Sequence, residues 1–280
     1  MGRMLRAFYG RKIALLGLFV IVLLVLSAVF APLLVTFDPI EMNPAEKLAS
    51  PNGKHWMGTD NFGRDIFSRV VYGARTSLVG SAGVVLFSLV LGVLIGVSSG
   101  YFKRVEPYLM RLIDVLMAFP SLLMALVLVS ILGRGMVNVI IAVGITYLTR
   151  TTRIVYGLTL KLREEPYIEA AVSSGVKQRW IILRHILPNM MSPIIVQATF
   201  TFAFSLLDMA SLDFLGLGIP PSVPSWGNML SEGRMYLTRA PWLLLFPGAC
   251  IVLTVLSFNL AGDVLRDQLD PHFRRDIEGV

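Results

Sequence analysis

The sequence contains apolar stretches that are as long as a lipid bilayer is thick. The clearest one, from Ser77 to Ser99, runs for 23 residues without a charged side chain. A helix of about 20 apolar residues spans a hydrocarbon core of about 30 Å. Further stretches of this kind lie at about 13–34, 108–132, 136–157, 192–217 and 242–262. The pattern predicts an all-α, polytopic membrane protein with six transmembrane helices.

The composition supports this fold class. Hydrophobic residues make up 55% of the 280 residues and charged residues 15%, whereas soluble domains are about 25% charged. The first apolar stretch has 22 residues, more than the roughly 7–15 of a secretory signal, so we expect an uncleaved first span. Cys250 is the single cysteine, which excludes an intrachain disulfide.

The distribution of basic residues predicts the orientation of the spans. With a cytoplasmic amino terminus, 17 of the 25 Lys and Arg residues fall inside and 8 fall outside. Cytoplasmic loops carry such an excess, so we expect both termini inside. The net charge of +7 then reflects these loops and not nucleic-acid binding. Arg150 and Arg153, in the fourth stretch, are expected to snorkel to the interface.

This topology divides the chain into three parts. Residues 1–75 form the first span and an external loop, residues 76–265 the five-span core, and residues 266–280 a cytoplasmic tail. In the external loop, Asp60, Asn61 and Gly63 favour a turn. An apolar stripe follows and predicts an amphipathic helix at the membrane interface: Ile66, Phe67, Val70 and Val71. Three roles are open for this helix: setting the entry angle of the second span, gating, or docking a partner.

The cytoplasmic loop at 158–190 is longer than the two to eight residues, roughly, that a plain connection needs. Pro166 favours the start of a short helix and Gly175 its end, with a second helix from about Gln178 to Leu187 that Pro188 terminates. Ile168, Ala171 and Val172 share a face of the first helix, and we expect much of the apolar surface to remain uncovered by the chain itself. An apolar patch rimmed by charge indicates a partner site. The alternative is a hairpin that lies on lipid headgroups.

The residues of this loop carry a family resemblance. Residues 169–175 read EAAVSSG and residues 185–188 read HILP, which resembles the EAA loop of ABC-importer permeases. His185 stands where that family usually has Ile. Three more stretches resemble the dipeptide, oligopeptide and nickel permeases, namely 58–75, 214–230 and 258–271. The residues that the resemblance assigns to contact with an ATPase are Glu169, Ala170, Ala171, Gly175, His185, Leu187 and Pro188.

The resemblance implies the function and the partners. The chain would be the permease subunit of an ATP-driven importer in the bacterial inner membrane, forming half of a pathway for peptides, nickel chelates or glutathione-like solutes. A second homologous permease, two ATPase subunits and an external solute-binding protein would complete it. ATP and Mg would bind the ATPase subunits, and the chain itself would bind no cofactor.

The sequence lacks the motifs of an enzyme. Its one Gly-Lys pair, Gly53-Lys54, precedes His55 where an ATPase loop needs Ser or Thr. HExxH and GxSxG motifs are missing, and the three histidines are too scattered to suggest a metal site. Two alternatives stay open: a self-contained secondary transporter or channel, which often shows an inverted repeat, and a membrane enzyme.

Charges inside apolar stretches are costly and indicate function or pairing. Asp114 is expected to pair with Arg111. Asp208 and Asp213 are candidates for the translocation pathway, and because they are five residues apart they lie about 140° from each other around a helix. Pro120 predicts a kink in the third span. Gly92 and Gly96 predict close helix packing in the second.

Overall fold

The computed structural model describes residues 12–269, and within that range the fold is all-helical, with one isolated β-bridge between Thr59 and Asp65. The basic amino terminus (1–11) and most of the predicted tail (270–280) lie outside the described residues. The helices are α1 (Lys12–Val29), α2 (Ala31–Leu34), α3 (Ile66–Tyr101), α4 (Glu106–Met117), α5 (Ser121–Leu132), α6 (Met136–Arg163), α7 (Pro166–Ser173), α8 (Gln178–Ile181), α9 (Leu187–Phe214), α10 (Trp226–Gly233) and α11 (Trp242–Leu269).

Three helical segments of the described chain are long and apolar enough to cross a membrane: Ile66–Tyr101, Gln178–Phe214 and Trp242–Gln268. The bent pair formed by α4 and α5 makes a fourth candidate. The apolar part of α1, Leu15–Val29, is shorter, and α6 has 28 residues with four basic ones in its second half. The all-α membrane fold is therefore confirmed, whereas the count of six spans rests on the sequence.

The predicted third span is not one helix. Its two halves, α4 and α5, meet at an angle of 95° around Pro120. Proline has no backbone N–H and disfavours a helical conformation in the residue before it, so the chain turns sharply here. The predicted kink is thus a complete break, which forms a broken span or a re-entrant loop.

The predicted close packing at Gly92 and Gly96 is confirmed, and it joins α3 to α6. A Cβ atom on Gly92 would lie 2.8 Å from Thr151 Cβ, and one on Gly96 would lie 2.7 Å from Val155 Cβ. Gly100, one turn further on, meets Thr159 in the same way, at 2.6 Å. The three glycines let the two helices cross with their backbones nearly touching.

The helix predicted before the second span is present, but its apolar stripe faces protein and does not lie on the membrane interface as expected. Residues 66–101 form one helix with Asp65 as its N-cap, so the division at residue 75 falls inside α3. Ile66 and Val70 are buried against Met229 of α10 and Leu243 of α11 and do not face lipid. The stripe is covered because the loop at 36–65 folds back over α3.

Charged residues of the loop at 36–65 and of the start of α3 form a buried network that anchors this arrangement. Asp60 accepts hydrogen bonds from Arg64 Nε at 2.6 Å and from Arg69 Nη1 at 3.1 Å. The same two guanidinium groups donate to Glu232 of α10, at 2.6 and 2.9 Å. Asp60, Arg64 and Arg69 are almost fully buried. The network therefore ties the loop, α3 and α10 together.

A second cluster of polar side chains lies in the same loop and reaches the surface. His55 Nδ1 lies 2.8 Å from Asp65 Oδ1, and Lys54 Nζ lies 2.6 Å from Glu46. Hydrogen bonds from Lys54 and from His55 lower the pKa of the Glu46 carboxyl. Glu46 therefore stays ionised where it meets solvent and holds the base of the loop.

Candidate functional site

The loop at 158–190 forms the predicted helical hairpin, and Gly175 makes its bend. Gly175 has φ +75°, a left-handed conformation that side chains other than glycine rarely adopt. Its N–H donates to Val172 O at 3.0 Å, and Val176 N–H donates to Ala171 O at 3.1 Å. These two bonds are the Schellman ending of a helix. The bend is thus set by backbone geometry, since no atom lies within 4 Å of the position of a Cβ on Gly175.

The chain buries more of the hairpin than the sequence predicts. Ile168 of α7, Ile181 of α8 and Ile186 are fully buried in one cluster with Val97 of α3 and Val155 of α6. Of the predicted contact residues, Ala171 and Leu187 also pack partly against this cluster. Val172, expected on the same face as Ile168, is 56% exposed. The inner face of the hairpin therefore binds the hairpin to the helices that it connects.

The outer face of the hairpin remains uncovered in the described chain. Glu169, Ala170 and Gly175 are exposed on it, and Trp180 and Leu183 keep 50% and 58% of their surface accessible. Of the predicted contact set, Glu169, Ala170 and Gly175 are thus exposed, whereas Ala171 and Leu187 are half-buried, and contact of these residues with an ATPase stays a prediction.

A groove of about 590 Å³ opens beside Glu169. Lys103, Arg163 and Gln178 are among the residues that line it. Arg163 Nη1 donates to the carbonyl oxygens of Gly100 at 3.0 Å and Tyr101 at 3.4 Å, at the end of α3. The base of the hairpin is thereby joined to the helix that crosses α6.

The second helix of the hairpin does not end at Pro188. It passes through a π-helical turn, Ile182–Ile186, directly into α9. Pro188 lies in the first turn of α9, where a missing N–H is tolerated, and the wider π turn precedes its ring. His185 lies in this turn, with its ring 6.3 Å from that of Tyr167, and Asn189 Nδ2 donates to His185 O at 2.6 Å. His185 therefore contacts the other arm of the hairpin and is half-buried.

A cavity of about 540 Å³ lies between α4, α5, α6 and α9, at the Pro120 break. Asp208 of α9 lines it, and its Oδ2 accepts a hydrogen bond from the hydroxyl of Tyr147 of α6 at 2.8 Å. The residues that line the cavity are Leu116, Met117, Phe119, Ser121, Met124, Thr146, Tyr147, Thr149, Arg150, Phe204 and Asp208. The predicted pathway residue Asp208 thus faces a space that a small solute could enter.

Asp213, the second predicted pathway residue, points elsewhere, as the 140° separation requires. Its side chain is buried at 3% exposure, and its oxygens accept hydrogen bonds from Ile219 N–H at 2.7 Å and Ser225 Oγ at 2.6 Å. Both partners belong to the segment that leads into α10. This geometry favours a structural role in fixing that segment, and a pathway role for Asp213 stays a prediction.

The predicted pair of Asp114 with Arg111 is wrong. The carboxylate of Asp114 pairs instead with Arg153 of α6, and this contact joins α4 to α6. Arg150, one turn earlier, lines the cavity. Arg153 therefore takes part in an ion pair and Arg150 lines the cavity, because α4 packs beside α6. Snorkelling of the two arginines to the interface stays a prediction.

Sequence reasoning missed Tyr147 and Arg150 as cavity residues. The charge of Arg150 within an apolar stretch was an available signal. Tyr147 gave none, since a tyrosine in a span is ordinarily explained by packing. Within residues 12–269, no group of three His, Cys, Asp or Glu side chains is placed to hold a metal ion.

The fold and the site together define a membrane component of a transport system. The family model described as "Binding-protein-dependent transport system inner membrane component" matches residues 88–275, and the one described as "N-terminal TM domain of oligopeptide transport permease C" matches residues 1–51. The chain belongs to this family of inner-membrane permease subunits, as the EAA-loop resemblance predicted.

Its relatives are peptide and glutathione permeases by name. The dipeptide transport system permease protein DppC of Alkalihalophilus pseudofirmus is 46% identical, and the matched region covers 94% of this chain and 87% of that relative. The oligopeptide transport system permease protein OppC of Bacillus subtilis is 41% identical over 96% of this chain and 88% of that relative. The glutathione transport system permease protein GsiD of Pectobacterium atrosepticum is 43% identical over 92% of this chain and 86% of that relative.

A solved structure shares the fold. In the inward-facing crystal form of the MetNI methionine ABC transporter, one chain matches with a TM-score of 0.59 at 17% identity, over 73% of this chain and 98% of that chain. At this identity the likeness concerns the arrangement of the helices and not the solute.

Proposed function

We propose that this permease subunit forms half of the translocation pathway for peptides or a related small solute, and that its hairpin at 158–190 couples the pathway to separate ATPase subunits. One observation carries the proposal. The hairpin is continuous with α6 and α9, and both helices also line the cavity at Asp208. A displacement of the hairpin would therefore move two walls of the cavity. The names of the dipeptide, oligopeptide and glutathione relatives support the solute class.

The mechanism follows from the rigidity of the hairpin. ATP would close the pair of ATPase subunits, and the docked hairpins would transmit that movement as rigid bodies to the spans. The buried isoleucines of the inner face resist bending between the hairpin and α6. On the outer face, Glu169 has no Lys or Arg nitrogen within 4 Å among the described residues, so its carboxylate is available to a basic group of the ATPase.

The partners are part of the proposal. The family description implies a solute-binding protein and ATPase subunits, and we add a second homologous permease and a pair of ATPases that hold ATP and Mg. The ion pair of Asp114 with Arg153, which is exposed between α4 and α6 in the described chain, supports a second permease. Charges at membrane depth normally face protein or water and not lipid. The family match does not favour a self-contained secondary transporter or channel.

We propose six spans with both termini in the cytoplasm, divided into residues 1–75, 76–265 and 266–280. The excess of basic residues inside supports this orientation. In a background with Cys250 replaced by alanine, Ala170→Cys should react with an impermeant thiol reagent only when the cytoplasmic face is accessible. The same reagent should label Gly53→Cys from outside. The reverse labelling pattern would contradict the topology.

Gly175→Val and Glu169→Lys test the coupling role. Each variant should lose most ATP-driven uptake, about tenfold or more, while the permease remains in the membrane and the complex still hydrolyses ATP. Valine at φ +75° is strained, so the bend must shift, and lysine reverses the charge of the outer face. Uptake of radiolabelled dipeptide and ATP hydrolysis are measured on the same vesicles.

Gly53→Val is the matched control for the bend. Gly53 also has no atom within 4 Å of its Cβ position, but it has no left-handed conformation and lies in the external loop. It should keep uptake close to wild type. Normal uptake in both hairpin variants would count decisively against docking of the hairpin to a motor subunit.

A further inference from the structure

The cavity holds two opposite charges that the described part of the chain does not neutralise. Asp208 has the Tyr147 hydroxyl as its partner, and no Lys or Arg nitrogen of residues 12–269 lies within 4 Å of its carboxylate. Arg150 likewise has no carboxylate within that distance among residues 12–269, since its neighbour Arg153 takes Asp114. Ionised side chains at membrane depth are costly unless they are paired or serve a pathway.

We propose that this cavity contacts the two charged ends of a passing peptide, with the terminal ammonium at Asp208 and the terminal carboxylate at Arg150. The inference rests on the proposed function, because it takes the solute to be a peptide. A peptide with free ends carries one charge of each sign, whatever its side chains are. The two unpaired groups of the cavity have the complementary signs, and charge-assisted hydrogen bonds of this kind are stronger than neutral ones.

The remaining walls of the cavity suit a solute whose side chains vary. Met117, Phe119, Met124 and Phe204 present apolar surface, and Met in particular adapts to different shapes. The hydroxyls of Thr146 and Thr149 donate to backbone carbonyls of their own helix, at 2.7 and 2.8 Å. Asp208 and Arg150 are thus the charged groups of this lining, and they recognise what all peptides share.

Tyr147 is a positioning residue in this scheme. Its hydroxyl donates to Asp208 Oδ2 and thereby orients the carboxylate, while Oδ1 has no hydrogen-bond partner among the described residues. An ammonium group could bind Oδ1 without displacing the tyrosine. Tyr147→Phe should therefore weaken the effect of Asp208 without removing its charge.

The first experiment measures how Asp208 and Arg150 affect the reaction of charged reagents in the cavity, and it needs no transported solute. With Cys250→Ala, Ser121→Cys places a thiol at an exposed position of the cavity wall. Rates of modification by a cationic and an anionic methanethiosulfonate are compared in the assembled complex in vesicles. Asp208→Asn should lower the ratio of cation to anion rates about three- to tenfold, and Arg150→Gln should raise it similarly. Asp263→Asn, an exposed carboxylate of α11, is the matched control and should leave the ratio unchanged.

Uptake of radiolabelled alanyl-alanine then tests whether Asp208 and Arg150 contact the two charged ends of the peptide. Asp208→Asn and Arg150→Gln should each lower the maximum uptake rate about tenfold, and Tyr147→Phe less. The concentration for half-maximal uptake should change little, because the external binding protein collects the dipeptide. A loss confined to the amount of assembled complex would indicate a merely structural role and would overturn the proposal.

Other outcomes separate the alternatives. Labelling of Ser121→Cys in the isolated chain but not in the complex would mean that the second permease covers these charges, and it would overturn the proposal. Wild-type dipeptide uptake in both Asp208→Asn and Arg150→Gln would also overturn the proposal, but it would leave the proposed function intact. If the unaltered complex fails to take up any di- or tripeptide, the proposed solute class fails, and with it the assignment of the two charges to peptide ends.

Discussion

Asp60→Ala should lower the free energy of unfolding by about 3–5 kcal/mol, because it removes a carboxylate that holds two buried guanidinium groups. Asp60 accepts hydrogen bonds from the side chains of Arg64 and Arg69 and from two backbone N–H groups of its own turn, those of Phe62 and Arg64. Without it, both arginines share Glu232 alone. Denaturant unfolding of the permease in detergent micelles measures the difference.

The control for this prediction is an aspartate with the same local role at the surface. Asp38 accepts a hydrogen bond from Ile40 N–H at 2.9 Å, but it is exposed and forms no ion pair with an arginine of residues 12–269. Asp38→Ala should therefore cost about 1 kcal/mol or less. Asp60→Asn keeps an acceptor for the turn and should fall between the two. An effect of Asp60→Ala no larger than that of Asp38→Ala would show that the network contributes little to stability.

Gly96→Val should destabilise the bundle by about 1–3 kcal/mol and impair uptake, because α3 and α6 must move apart to admit the side chain. A Cβ on Gly96 would lie 2.7 Å from Val155 Cβ and 2.8 Å from the backbone oxygen of Thr152. The backbone oxygen cannot rotate away, so the helices themselves have to shift. The apparent melting temperature and the uptake rate of the assembled complex are the measurements.

Gly157→Val separates packing from the general cost of changing a helical glycine. Gly157 lies in the last two turns of α6, and in the described structure no atom beyond its own part of the helix lies within 4 Å of its Cβ position. It should behave nearly as wild type in both assays. Equal effects at the two positions would mean that the α3–α6 contact does not depend on the glycines.

The hairpin shows how far local sequence reasoning reaches. Gly175 was identified as the bend from its residue type alone, since a left-handed ending to a helix strongly favours glycine. The end of the second helix was misplaced because Pro188 can also occupy a first turn, and which of the two occurs depends on the π turn before it. Which of Ala170 and Ala171 is exposed could not be read from their spacing, because α3 and α6 decide which face is covered.

The long apolar stretches and the EAA-like residues determined by themselves that this chain is an α-helical permease subunit. The thickness and apolar nature of the bilayer set the length and composition of each span separately, so the spans are visible in the linear sequence. Only the tertiary structure decided that Asp60 pairs with Arg69, that Asp114 pairs with Arg153 and that Asp208 meets Tyr147 across a cavity. The last two contacts join different helices. The energy of such a contact depends on the distance between the two groups in the folded structure, which the order of residues along the chain does not give.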